Sequence, residues 1–345
     1  MRIRSLSLLV ILTVASCGPS KPAQTTDTDS LTPTGPAGKA TGATSAAPND
    51  EPPPSAEVDQ GIKSFEAGDY AAAQASFEAA IKKNPKNFIA LSNLGLTLEK
   101  AGKPVEAEKA YKRALEIRPN LVQAASGITA LWITSDPPKI DETIALCRSV
   151  LKQHPDAAAM HHTLAIALAK KGDQEAAIKE FDEAIRLRPE DPMFQLTFAQ
   201  WYTVWKVKGA VAHLDIAKDL AKDDIGLLAA IGHEYRAAGA FPECVALYDK
   251  LITKKDSGEL RTERALCKRG MKDEAGGVAD LQAAVKNDPT FAPAHVYLAM
   301  RYAAAKKYKE AIVEYEAYLK LAPNTPQAKD VEAKLKEARE LAKKQ

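Results

Sequence analysis

Six histidines and four cysteines stand in 345 residues, few enough to weigh one by one for chemistry. The stretch His-Glu-Tyr-Arg-Ala beginning at His233 opens like a zinc-protease helix. Such a helix needs a second imidazole four residues on, on the same face, and Ala237 stands there instead, so the site lacks a ligand. His161 and His162 are adjacent, and adjacent helical residues do not share a face, which makes them a poor chelating pair. No metal and no other cofactor is expected. There is no phosphate-binding loop, no Gly-x-Ser-x-Gly elbow and no dinucleotide fingerprint. The chain is therefore expected not to be an enzyme, with an enzyme of unrecognised site as the remote alternative.

The aromatic run MFQLTFAQWYTVWK puts Phe194, Phe198, Trp201 and Trp205 on one helical stripe. Exposed, such a stripe anchors a protein partner. Packed, it fills the volume left by the small Ala217 and Ala221 of the following segment. Packing is the preferred reading, with Trp205 partly exposed. Lys and Arg number 47 against 45 Asp and Glu, and a nearly neutral chain has no general attraction to a phosphate backbone. Nucleic acid is not an expected partner.

The N-terminus reads as an address. Arg2 and Arg4 precede an apolar core, SLSLLVILTV, of ten residues. That core is too short for a bilayer span of roughly 20 residues but suits a secretory signal. It runs into Val14-Ala15-Ser16-Cys17, which resembles the bacterial lipobox. The resemblance implies cleavage before Cys17 and lipidation of its thiol, hence a membrane anchor. Two or more acyl chains hold a protein stably. Gly18 follows rather than Asp, so the resemblance implies an outer membrane, with the protein facing the periplasm. From Gly18 to Ser55 come eight prolines and almost no large apolar residue, a composition expected to form a disordered tether. Such a tether spans about 35 Å.

The elements that would position any site come from a repeated phrase. Similar segments close on Pro85, Pro119, Pro155, Pro189, Pro289 and Pro323, and three of the intervals are 34 residues. The second unit carries Leu94, Gly95, Leu98, Gly102, Ala107, Tyr111, Ala114 and Pro119. The fourth carries Leu164, Ala165, Leu168, Gly172, Ala177, Phe181, Ala184 and Pro189. This pattern resembles the tetratricopeptide repeat family. It implies an all-α fold: a right-handed α-solenoid of about eight helix-turn-helix repeats. The expected domains are a signal at 1–16, lipidated Cys17 and linker to 55, repeats over 56–323, and a capping helix over 324–345. In that helix Val331, Leu335 and Ala338 share one face.

In repeat register, Cys244 replaces a small contact residue and Cys147 an aromatic, so both are expected as buried hydrophobes. A bridge between Cys244 and Cys267 is open, although helix directions disfavour it. His161 takes a packing slot, as His295 does in the last unit. The resemblance also implies a concave groove lined by first helices. Carried over, its positions are Ile62, Phe65, Ile89, Ser92, Leu96, Ile133, His162, Ile166, Leu196, Gln200, His233, Arg236 and Met300. Such a largely apolar groove suits a peptide or amphipathic helix. The alternative is that curvature or the cap helix covers these side chains. The function expected is a membrane-anchored scaffold or adaptor for envelope proteins, the alternative being a pilotin-like assembly factor for an outer-membrane secretion or pilus complex.

Overall fold

The structure, a computed structural model, describes residues 52–345. The expected signal, Cys17 and most of the expected linker lie outside the described residues. The described chain is helical, with 17 helices and no strand among the described residues, and it forms two compact units divided between Leu131 and Trp132.

The first unit holds two hairpins, α1 (Ala56–Glu66) with α2 (Tyr70–Lys83) and α3 (Phe88–Lys100) with α4 (Pro104–Ile117). It ends within α5 (Val122–Thr134). Asn84-Pro85 and Arg118-Pro119 close α2 and α4, since proline has no amide to continue a helix. Close approach is set by glycine. A Cβ added at Gly95 would lie 2.6 Å from the Tyr111 ring, and one at Gly127 would lie 2.3 Å from it. One buried tyrosine thus fills the space left open by two glycines on successive first helices.

The second unit begins with α6 (Ile140–Leu151) and continues as five hairpins. These are α7 (Ala158–Lys171) with α8 (Gln174–Leu187), and α9 (Pro192–Trp205) with α10 (Ala210–Ala221). Next come α11 (Ile225–Ala237) with α12 (Phe241–Lys254), and α13 (Gly258–Gly270) with α14 (Glu274–Asn287). The last is α15 (Ala292–Ala304) with α16 (Tyr308–Leu321), and α17 (Ala328–Ala342) packs on α16. Val331, Leu335 and Ala338 of α17 are buried against Ala311, Tyr315 and Tyr318, as the amphipathic pattern requires.

A disulfide joins Cys244 to Cys267, with Cα atoms 6.0 Å apart. The expectation that helix directions oppose this bridge is corrected. The chain leaves Cys244 along α12 and returns along α13, which brings the first turn of one beside the last turn of the other. Cys147 is a buried free thiol, as expected.

The turns closing first helices depart from the repeat pattern. Gly68, Gly102, Gly172 and Gly239 take positive φ there, which relieves the Cβ clash of the left-handed region. At the equivalent place in three other repeats stand Lys206, Lys272 and Lys306, with φ of 56°, 64° and 59°.

Candidate functional site

The first helices of the second unit run side by side, and polar side chains join them across one face. Gln200 on α9 donates from Nε2 to the Glu234 carboxylate on α11 at 3.1 Å. Arg236, two residues further on α11, faces Glu263 on α13 at 3.3 Å. The pair is misaligned: neither Arg236 Nε nor Glu263 Oε2 completes a hydrogen bond, although both atoms are buried. Exposed His233 lies 3.5 Å from the Glu234 carboxylate, which raises its pKa above the ordinary imidazole value. Elsewhere on the first helices Met193 is 39% exposed, and Ile166 and Met300 are half-buried. The first helices of the second unit thus carry the misaligned Arg236–Glu263 pair on α11 and α13 and partly exposed apolar side chains on α7, α9 and α15.

Other expected lining residues are not available in this way. Ser92 and Leu96 are 0% exposed and Leu196 is 3% exposed, so burial corrects their assignment to an open groove. In α3 the reason is composition: it is apolar or small around its whole circumference, and such a helix is covered on every side. In the first unit Ile62, Phe65 and Ile89 remain half-buried, as does Ile133 at the end of α5.

His162 is also corrected. Its ring stacks on Phe194 at 4.6 Å and meets Phe181 edge-on at 5.9 Å, with Nε2 buried and without a partner. Burial drives its pKa down to about 4. His161, beside it, is held by polar partners: Nδ1 lies 2.6 Å from Glu180 and Nε2 lies 3.1 Å from the Pro155 carbonyl. His295 repeats this arrangement with Glu314 at 2.6 Å and Pro289 at 3.0 Å. Both are packing residues that tie a first helix to its partner helix and to the preceding turn.

The aromatic run divides as well. Phe194 and Phe198 are 5% and 0% exposed, whereas Trp201 and Trp205 are both half-buried, their rings 5.5 Å apart. Deep within the second unit, Asp280 is 4% exposed and receives the Arg264 guanidinium and Lys268 Nζ, the latter at 2.8 Å. Burial alone would raise the Asp280 pKa, but these cations hold it below the usual carboxylate value. Sequence reasoning missed this cluster and the Arg236–Glu263 pair, because each joins different helices and no local motif marks it. Among the described residues, no group of three or more His, Cys, Asp or Glu is placed to hold a metal ion. No described helix is long and apolar enough to cross a membrane.

Comparison with known proteins agrees with this geometry. Two sequence profiles of the tetratricopeptide repeat match residues 58–121 and 139–199. Protein FlbA of Caulobacter vibrioides is 28% identical over 123 residues, which is 36% of this chain and 20% of that protein. The match therefore spans about a fifth of that relative. Yeast Tom70 superposes with a TM-score of 0.55 at 17% identity, over 86% of this chain and 66% of the other. A tetratricopeptide repeat protein from Parabacteroides merdae gives 0.45 at 17% identity, over 82% and 97%.

Proposed function

This chain is a tetratricopeptide repeat protein whose paired helices form a protein-interaction scaffold, and we propose that it is an anchored adaptor. It captures an envelope protein on the first-helix face of its second unit. The observation carrying this reading is the Arg236–Glu263 pair, brought to 3.3 Å without completing a hydrogen bond, with exposed His233 on the same helix. Both side chains of the pair keep about a quarter of their surface exposed, so a polar ligand group can bond their outer atoms and compete for the misaligned pair. The fitting ligand is a peptide or helix with a polar group for the Arg–Glu pair and apolar side chains for Ile166, Met193 and Met300. It is more mixed in character than a wholly apolar groove would select.

Anchoring rests on Cys17 and its lipobox-like setting, with the Pro-rich segment as tether and the periplasmic face of an outer membrane as location. Confinement beside a membrane raises the effective concentration of the scaffold for partners in the same layer. Repeat proteins of this family are typically non-catalytic, and capture rather than turnover is the activity proposed.

The test places a photo-crosslinking residue at His233 and, as a control, at exposed Lys336 of α17. The expected result is one protein adduct from intact envelopes at position 233 and none at 336. Adducts of equal yield at both positions would reject the face. Separately, Cys17→Ser should lose the acyl mass and leave the membrane fraction on a high-salt wash.

A further inference from the structure

The turn edge of the second unit carries a surface that protein capture does not use. In repeated hairpins every turn from a first to a second helix falls on one edge, and every return turn falls on the other. The two edges differ in charge. The turn after α7 holds Asp173 and that after α11 is uncharged, but the three after α9, α13 and α15 hold Lys206, Lys208, Lys272, Lys306 and Lys307 against a single acid, Asp273. That aspartate is already engaged, accepting the Gly276 amide as the cap of α14. The return turns before α9, α11, α13 and α15 instead carry Glu190, Asp191, Asp223, Asp224, Asp256 and Asp288 against Arg188, Lys222 and Lys255.

Backbone conformation provides the second, independent observation. Lys206, Lys272 and Lys306 occupy the left-handed position filled by glycine in four other repeats. A side chain there is strained, and strain of this kind is retained where the side chain has work to do. Three lysines on this edge share this placement, while Lys222, with φ of 50°, stands on the return edge.

Apolar groups accompany the charge. Val204, Val207 and Met271 are 42%, 40% and 49% exposed, and half-buried Trp205 stands next to Lys206. Indole, valine and lysine at one tip form the combination that settles at a bilayer interface, with rings at headgroup depth and ammonium groups among anionic headgroups. A protein partner would call for shape and paired hydrogen bonds. These five lysines instead form two groups of flexible cations along an edge, one on the α9 turn and one on the α13 and α15 turns, suited to a surface of diffuse negative charge.

The geometry points to this edge as a contact surface for an anionic lipid bilayer. It lays the second unit against the membrane by its turns and leaves the first-helix face open to the side. The inference stands whether or not Cys17 is lipidated.

The test uses the full chain on vesicles of phosphatidylcholine with one-quarter phosphatidylglycerol, compared with phosphatidylcholine alone. Both sets carry brominated acyl chains, which quench tryptophan at bilayer depth. Quenching is expected only on the anionic vesicles, to be lost in Trp205→Phe and to fade in high salt. The Lys206→Gly, Lys272→Gly, Lys306→Gly chain keeps its fold, because glycine serves this position elsewhere. Each lysine near such a surface is worth about fivefold in partitioning, so the triple change should weaken contact about a hundredfold. Equal quenching on both vesicle types, or quenching unchanged in the triple variant, overturns the proposal. So does a photo-crosslinker at Val207 that labels protein and no lipid. The acyl mass at Cys17 is read separately, so a missing anchor and a missing edge contact give different results.

Discussion

His161 and His162 show how far two neighbouring side chains of one type can diverge. Burial works against protonation of His161, but Glu180 and the Pro155 carbonyl overcome it and raise its pKa. Its contribution to stability is therefore complete below the ordinary imidazole pKa and is lost as pH rises through the raised value. His162 has no polar partner and titrates near 4. Between about 6.5 and about 4 the unfolded chain binds a proton that the folded chain refuses, so this histidine removes stability as pH falls. His162→Leu should therefore lose less stability at pH 5 than wild type does, relative to pH 7.5, as read from urea midpoints. Asp280 makes a different residue-scale demand. Asp280→Asn removes the carboxylate shared by Arg264 and Lys268 while Arg264 keeps Asp249 at 2.7 Å, and should cost about 1.5–3 kcal/mol in the same measurement.

At the scale of the element, two kinds of glycine position predict opposite outcomes. Gly127 is a packing glycine, and a methyl group there would overlap the Tyr111 ring. Gly127→Ala should destabilise by about 1–3 kcal/mol, the usual cost of overpacking. Lys272 holds a turn conformation that glycine adopts freely, so Lys272→Gly should stabilise by about 1 kcal/mol in thermal or urea unfolding. The hairpins themselves were legible in the sequence. Leu94, Gly95, Tyr111 and Pro119 recur in register with Leu164, Ala165, Phe181 and Pro189, and each residue type has a steric reason for its place. The lysine turns were not, because a repeat pattern records what usually stands at a position and a positive φ leaves no mark in composition. The face was only partly legible. Register places Gln200, His233 and Arg236 on first helices, but whether Leu96 or Leu196 reaches solvent depends on everything packed around it. The Cys244–Cys267 bridge was misjudged for a related reason: it depends on how α12 turns back into α13.

The whole molecule is proposed as a tethered scaffold whose two working surfaces lie on the same unit and face different ways. The turn edge bears lysines and indoles toward lipid, and the first-helix face bears the Arg236–Glu263 pair toward a partner. Tom70 shares the fold and lends it no activity, since fold alone does not fix function. The most direct test of the scaffold reading is quantitative crosslinking capture from intact envelopes. It compares wild type with the Met193→Glu, His233→Glu chain after both show the same melting temperature. Both positions are exposed, so folding should be unaffected. The account predicts that the partner captured by wild type is lost from the double variant while membrane association is retained. Equal capture by both chains would contradict it and remove the first-helix face of the second unit from the mechanism.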